Sequence, residues 1–442
     1  MNDTTKLAEL KPAELLLNLF YTAVSAASPH KVLPGFLPAD TNRKAIVIGA
    51  GKAAASMAQS IEQHWQGELS GLVVTRYGHD LPCKKIEVVQ ASHPVPDNIG
   101  ADCAQRIFDL VSKLSKDDLV ICLISGGGSS LLALPADGIS LTDKQCINQA
   151  LLRSGAAIDD MNCVRKHLSA IKGGKLAAAS YPAKVITYAI SDVPGDKATV
   201  IASGPTVADP TTSADALATL TRYNIDIPSN VLTWLSSSDS ETIKPGDKIL
   251  AGCEYHLIAT PAAALNAAIG RAEQSGLKVL SLGDQIEGEA SAVAKQHAAL
   301  TLSIINGEHQ VKPPCIILSG GETTVTLSGN GRGGRNAEYL LSLANCLQGT
   351  PNVYALAADT DGIDGSEDNA GALLSPTTWQ RATDLNIDPA AMLANNDGYS
   401  FFEQLGDLII TGPTRTNVND FRAIYITTES LENSSLGKNS TV

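Results

Sequence analysis

The chain of 442 residues carries 33 Lys and Arg against 46 Asp and Glu, a formal charge of −13. That balance disfavours general affinity for nucleic acid or anionic membrane, and any anionic ligand would need a local basic site. With 37 Gly and 21 Pro, only 4% aromatics and an apolar content dominated by Ala, Leu, Ile and Val, collagen-like and low-complexity classes are excluded and an α/β protein of two or three domains is expected.

In chain order, a helix is expected from Pro12 to about Ala27, able to pack on either domain; it is too short for a membrane span and lacks the basic start of a signal peptide. Strands are expected at Ala45–Ile48, Leu72–Thr75, Ile86–Val89, Leu119–Ile124 and Val185–Ile190. Each gives way to a Gly-rich turn and an Ala-rich helical stretch, the alternation of parallel βαβ units. The polar stretch Ser236–Asp247, with its Pro-Gly turn, is the expected domain boundary. A second set of strands follows at His256–Ala259, Lys278–Leu282, Cys315–Leu318, Val353–Ala357 and Leu408–Ile410. The expectation is an α/β protein with domains at 1–240 and 241–430, each a largely parallel sheet flanked by helices, the active site in the cleft between them, and a disordered tail at 431–442. Eight cysteines without a C-x-x-C pair read as buried thiols, and the cytoplasm is the default compartment.

The motifs cluster just after predicted strands, where open α/β sheets bind ligands. Gly49-Ala50-Gly51-Lys52-Ala53-Ala54 presents glycine amides and a lysine at a helix start, suited to a phosphate. It also fits the G-x-G-x-x-A dinucleotide pattern, although Arg76 rather than an acid ends the next strand, so only an NADP reading would suit; a tight structural turn is the third option. Ser125-Gly126-Gly127-Gly128-Ser129-Ser130 can form an anion-binding nest of backbone amides. Arg165, Lys166, Lys172 and Lys175 make a basic cluster in an acidic protein, either a solvated face or an anion site.

Asp192, after Val185–Ile190, suits a general base, a metal ligand or a turn former. Gly204 lies in a small-residue loop, Ala202–Thr206, that could cover a ligand. In the second half, Ser319-Gly320-Gly321-Glu322 echoes the first Ser-Gly-Gly turn. Gly333-Gly334-Arg335-Asn336 offers a guanidinium for carboxylate or phosphate oxygens. Asp359 and Asp361 could hold Mg2+ together with substrate phosphates, or could form Asx turns. Thr411–Asp420 is a further polar loop after a strand.

In order, SGGGSS (125–130), VRKHLSAIKGG (164–174), SDVPGD (191–196), ASGPT (202–206), SGGET (319–323), GGRN (333–336), DGIDG (361–365) and TGPTRTNVND (411–420) resemble the class II glycerate kinases, the glycerate 2-kinase family with a C-terminal MOFRL domain. The resemblance spans about Ala13 to Ile426. It implies a Rossmann-like kinase domain followed by a MOFRL domain, and phosphorylation of D-glycerate at its 2-hydroxyl by ATP with Mg2+. Lys52, Asp192 and Arg335 match the family's proposed catalytic lysine, aspartate and cleft arginine.

Under this reading Ser125, Gly126, Gly127, Gly128, Ser129, Arg165 and Lys172 bind the substrate. Gly49, Gly51, Gly204, Gly320, Gly321, Glu322 and Asn336 bind the nucleotide, and Asp359 and Asp361 hold the metal. Family members often carry the name hydroxypyruvate reductase, so an NAD(P)H-dependent reductase is the alternative enzyme, and an anion-binding sensor the non-catalytic one. D-Glycerate and ATP are the expected partners, with no nucleic acid and no membrane; a homodimer is one assembly the sequence leaves open.

Overall fold

The computed structural model describes residues 10–428, so the predicted tail at 431–442 lies outside the described residues. The chain folds as two units, one of residues 27–260 with Arg415–Asn417, the other of the N-terminal helix and the remaining C-terminal residues.

In the first unit, six strands form one sheet: β1 Ala45–Ala50, β2 Leu69–Arg76, β3 Ile86–Ala91, β4 Leu119–Ile124, β5 Lys184–Ile190 and β6 Cys253–Ala259. Every pairing is parallel, in the order β3-β2-β1-β4-β5-β6. That is the order of doubly wound nucleotide-binding sheets, and it reverses direction between β1 and β4. Both of those strands are buried along their whole length, which is why they read as unbroken apolar runs. Their close approach is set by Gly49, where a Cβ would lie 2.1 Å from the Leu123 carbonyl oxygen.

The boundary differs from expectation. β6 completes the first sheet rather than opening the second, and the division falls between Thr260 and Pro261. The polar stretch around 236–247 is a strap on the first unit: Ile243 N–H donates to the Gly173 carbonyl, and Asp209 N–H donates to the Ile243 carbonyl.

The second unit contains β7 Lys278–Ser281, β8 Gly288–Glu289, β9 Cys315–Gly321, β10 Thr323–Thr324, β11 Val353–Asp359, β12 Gly371–Leu374, β13 Leu408–Ile409 and β14 Asp420–Ile426. Its main sheet runs β13-β12-β11-β14-β9-β7, with β8 and β10 forming a separate small pair. The expected largely parallel sheet is here a mixed one, parallel only between β7 and β9. β14 inserts between β9 and β11 and runs antiparallel to both, and β12 runs antiparallel to β11 and β13. The N-terminal helix, Pro12–Ala26, packs on the helix Pro261–Gln274 and on β11 and β14, which settles its place in this unit. No helix among the described residues is long and apolar enough to cross a membrane. All eight cysteines are free; Cys103, Cys122, Cys163 and Cys315 are buried, whereas Cys146 and Cys346 are exposed.

Candidate functional site

Two glycine-bearing turns leave the first sheet side by side, after β1 and after β4. In the β1 turn every amide is spent inside the protein: Gly51 N–H donates to the Val74 carbonyl, Lys52 N–H to the Gly126 carbonyl (2.8 Å), and Ala53 N–H to the Ser125 hydroxyl (2.9 Å). Gly51, at φ +137°, sits where a Cβ would strike the Ser125 hydroxyl at 2.1 Å. Gly49 and Gly51 therefore serve close packing of the two turns, and no nest is left for the predicted phosphate of a nucleotide. Ser125, fully buried, braces the same contact rather than facing a ligand.

The β4 turn is different. The amides of Gly126 and Gly127 donate to no acceptor among the described residues, as an anion nest requires. Gly126 is also the point where three chain segments meet. The Lys52 backbone N–H donates to its carbonyl, and a Cβ there would lie 2.1 Å from the Asp192 carboxylate and 2.2 Å from the Asn417 amide. Asp192, at the ligand edge of β5, accepts a hydrogen bond from Asn417 Nδ2 at 2.9 Å. Lys52 and Asp192, far apart in sequence, are thus brought to one glycine.

Gly127 opens onto a pocket of about 650 Å3 whose walls include His93, Ser129, Lys144, Arg165 and Lys172. Lys172 is buried and donates to Ser129, to its carbonyl and, at 2.7 Å, to its hydroxyl. Ser129 in turn meets the Ser203 hydroxyl at 2.8 Å. Ala202 and Ser203, at φ +49° and +61°, hold a left-handed conformation that costs non-glycine residues of order 1–3 kcal/mol each. The absence of a Cβ at Gly128 admits the Ala202 side chain. Gly204 latches this loop, its carbonyl accepting from Gly174 N–H; nothing in its contacts is aimed at a nucleotide.

Arg165 Nε donates to Asn148 Oδ1 at 2.6 Å, and Lys144 Nζ donates to the Leu134 carbonyl at 3.3 Å. Burial, then repulsion from Lys144 and Arg165, holds the Lys172 amine well below its ordinary range. Burial, then Lys175 and Arg165, brings Lys144 to about 7. Among the described residues no carboxylate forms an ion pair with Lys144, Arg165 or Lys172, and no acid lines the pocket. This is the local basic site that an acidic protein needs for an anionic ligand.

The predicted residues of the second unit are committed differently. Arg335 Nε donates to Asp420 (2.9 Å), one terminal nitrogen donates to Asp359 (2.8 Å), and the other lies 3.6 Å from the exposed Glu322. Burial alone would depress its pKa, but Asp420, Asp359 and Glu322 outweigh this and hold it well above the ordinary value. The guanidinium is thus held among three carboxylates, with part of its surface exposed. Asn336, also buried, gives its side-chain amide to Asp420 at 2.8 Å.

The start of the helix Arg335–Leu347 is capped from within: Asp364 accepts from the backbone amides of Asn336 (3.0 Å) and Ala337 (2.9 Å). A protein carboxylate therefore fills the place predicted for nucleotide phosphate. Burial nevertheless lifts Asp364 to about 6, against the pull of those two amides. Gly320 and Gly321 pack rather than bind: Gly320 N–H donates to the Gly283 carbonyl, and a Cβ on Gly321 would lie 2.3 Å from the Ile286 backbone.

The aspartates proposed for Mg2+ both accept hydrogen bonds within the second unit. Asp359 places one oxygen on Arg335 and the other on Asp361 N–H at 2.9 Å. Asp361 accepts from Ile363 N–H at 2.8 Å, the Asx-turn alternative. Among the described residues no group of three or more His, Cys, Asp or Glu is arranged to hold a metal ion.

Lys144, His93, Asn417 and Asp420 carry no role assigned from sequence. Asn417 and Asp420 lie in the polar loop 411–420, whose individual members the pattern does not distinguish. Lys144 stands in an ordinary amphipathic helix and carries no signature.

Residues 15–236 match a family model described as a domain of unknown function, DUF4147, and residues 315–420 match the MOFRL family. A D-glycerate 2-kinase of Thermotoga maritima is 37% identical over 92% of this chain and 96% of its own length. A protein of Agrobacterium vitis, provisionally named a hydroxypyruvate reductase, is 51% identical over 95% of each. The crystal structure of a glycerate kinase from Thermotoga maritima superposes with a TM-score of 0.84 at 37% identity, covering 94% of this chain and all of that one.

Proposed function

We propose, for a chain that belongs to the glycerate 2-kinase family with a C-terminal MOFRL domain, that it transfers the terminal phosphoryl group of ATP to the 2-hydroxyl of D-glycerate. The observation that carries this reading is the approach of the Asp192 carboxylate to Gly126, beside amides that have no protein acceptor and next to the Lys52 main chain. The free amides of Gly126 and Gly127 receive the glycerate carboxylate. Asp192, oriented by Asn417, takes the proton of the 2-hydroxyl as that oxygen bonds to the γ-phosphorus and the bond to ADP breaks. Lys52 neutralises charge on the phosphoryl group in flight.

Mg2+ is expected to accompany ATP through the phosphate oxygens; no residue of this chain is assigned to it and no step is routed through it.

The reductase alternative would place a dinucleotide pyrophosphate on the β1 turn. The amides of Gly51, Lys52 and Ala53 already donate within the protein, which favours the kinase. The test is 31P NMR of the purified protein with ATP, MgCl2 and D-glycerate, beside a sample lacking glycerate. A 2-phosphoglycerate resonance growing with ADP is expected. Folded protein that yields no phosphorylated product would overturn the reading and direct attention to NADPH and hydroxypyruvate.

A further inference from the structure

The basic pocket of the first unit is larger, longer and more positive than a three-carbon monoanion can use. Its volume of about 650 Å3 lies in the middle of the roughly 300–1,000 Å3 range of pockets that enclose drug-sized ligands. One wall is the helix Leu141–Arg153, which contributes residues from Leu141 to Leu152, a run of about 16 Å at the helical rise.

Chemistry changes along that wall. Lys144 and Asn148, with Arg165 bonded to Asn148, form its basic part. One turn beyond, Leu152 faces the pocket together with Val95, and they are 58% and 63% exposed, apolar surface with no protein cover. Three basic side chains without a carboxylate partner at one part and bare apolar side chains at another match a polyanion joined to a flat, weakly polar body.

We propose that this pocket holds the adenine nucleotide of the phosphoryl donor, with the phosphates on Lys144, Arg165 and Lys172 and the base against Val95 and Leu152. The proposal rests on the kinase reading and refines it: the sequence assigned Arg165 and Lys172 to glycerate and the nucleotide largely to loops that the structure shows to be internally satisfied. Continuity supports the new assignment. Gly127 lines the pocket, and the preceding residue, Gly126, touches Asp192, so a terminal phosphate at the Gly127 end lies beside the acceptor's base. Arg165 supplies the planar fork that suits phosphate oxygens, and Lys172 and Lys144 supply point charges.

Two variants test this. Leu152→Trp fills the apolar part from an exposed position and leaves the core untouched; Lys144→Met removes one cation. Each is expected to raise KM for ATP about tenfold or more, the loss of one charged contact or of base stacking, while KM for D-glycerate stays within about twofold. A rise in KM for D-glycerate with KM for ATP unchanged would overturn the proposal and return the pocket to the acceptor.

Binding of N-methylanthraniloyl-ADP, followed by fluorescence without glycerate, gives a readout independent of turnover. Weaker binding to Leu152→Trp than to the parent chain is expected, with displacement by ATP. Equal binding to both would sink the pocket assignment even if 31P NMR shows the kinase, and pocket-dependent binding without turnover would uphold it while the kinase reading fails.

Discussion

The two units each carry a buried strand that ends in Ser-Gly-Gly, and they treat the chemistry beyond it in opposite ways. After β4, the amides of Gly126 and Gly127 and the cations Lys144, Arg165 and Lys172 lack acidic partners. After β9, the glycines pack against backbone, the neighbouring helix start is capped by Asp364, and Arg335 and Arg422 are both paired with Asp420. One turn keeps amides with no protein acceptor beside cations with no carboxylate partner; the other uses the same residue types to build a core. Residue type alone therefore does not separate a binding arginine from a structural one, whereas the carboxylates around it do.

The contrast is broken most directly at Asp192 and Lys52. Asp192→Asn and Lys52→Ala should each lower kcat by roughly 10²–10⁴-fold, the usual worth of a positioned proton acceptor or charge stabiliser, in a coupled ADP-release assay with saturating substrates. Near-normal turnover in either variant would remove that residue from the mechanism.

A smaller effect, of another kind, is expected in the second unit. Asp420→Asn leaves Arg422, a fully buried side chain that donates to Asp420 at 2.6 Å, without its counter-charge. Stability should fall by about 3–5 kcal/mol, as when one member of a buried pair is removed, read from urea unfolding followed by circular dichroism. Loss of turnover without loss of stability would instead make that carboxylate part of the chemistry.

The subtlest effect is on pH dependence. With Lys144 brought to about 7 by burial and by Lys175 and Arg165, its ammonium is present below that pH and lost above it. Anion capture should weaken in the same direction, so kcat/KM for ATP is expected to fall as pH rises through about 7. Lys144→Arg, which stays charged across this range, should flatten that limb; an unchanged profile would show that another group controls it.

Much of the first unit is readable because parallel strands buried on both faces are unbroken apolar runs, and the expected strand Leu119–Ile124 matches the observed one to the residue. β14 escapes the sequence for a physical reason. Arg422 interrupts its apolar run, and buried partners, Asp420 and Thr323 among them, make an arginine tolerable there. Without that strand and the short β12, the predicted strands of the second unit read as a parallel set. Ser236–Asp247 misleads because polarity and a Pro-Gly turn mark a strap as readily as a linker.

For the site, Lys52, Asp192 and the β4 turn can be found from strand-then-turn order, since ligand edges follow strand ends. Lys144 cannot, because its role depends on which helix face meets the turn. Nor can sequence show that Asp359 and Arg335 neutralise each other, a fact of register between β11 and the helix beginning at Arg335.

Arg415–Asn417 belongs to the first unit although some 150 residues of the second precede it. Its three side chains reach the Asp80 carbonyl, the Ala27 carbonyl and the Asp192 carboxylate. The unit that bears the proposed base is thus finished by residues that follow most of the other unit in the chain. A gene fragment ending near residue 260 would encode all six strands of the first sheet and still lack the amide that orients Asp192. The two halves are consequently poor candidates for exchange as independent modules, and a lineage that lost the C-terminal half would lose a component of the N-terminal site with it.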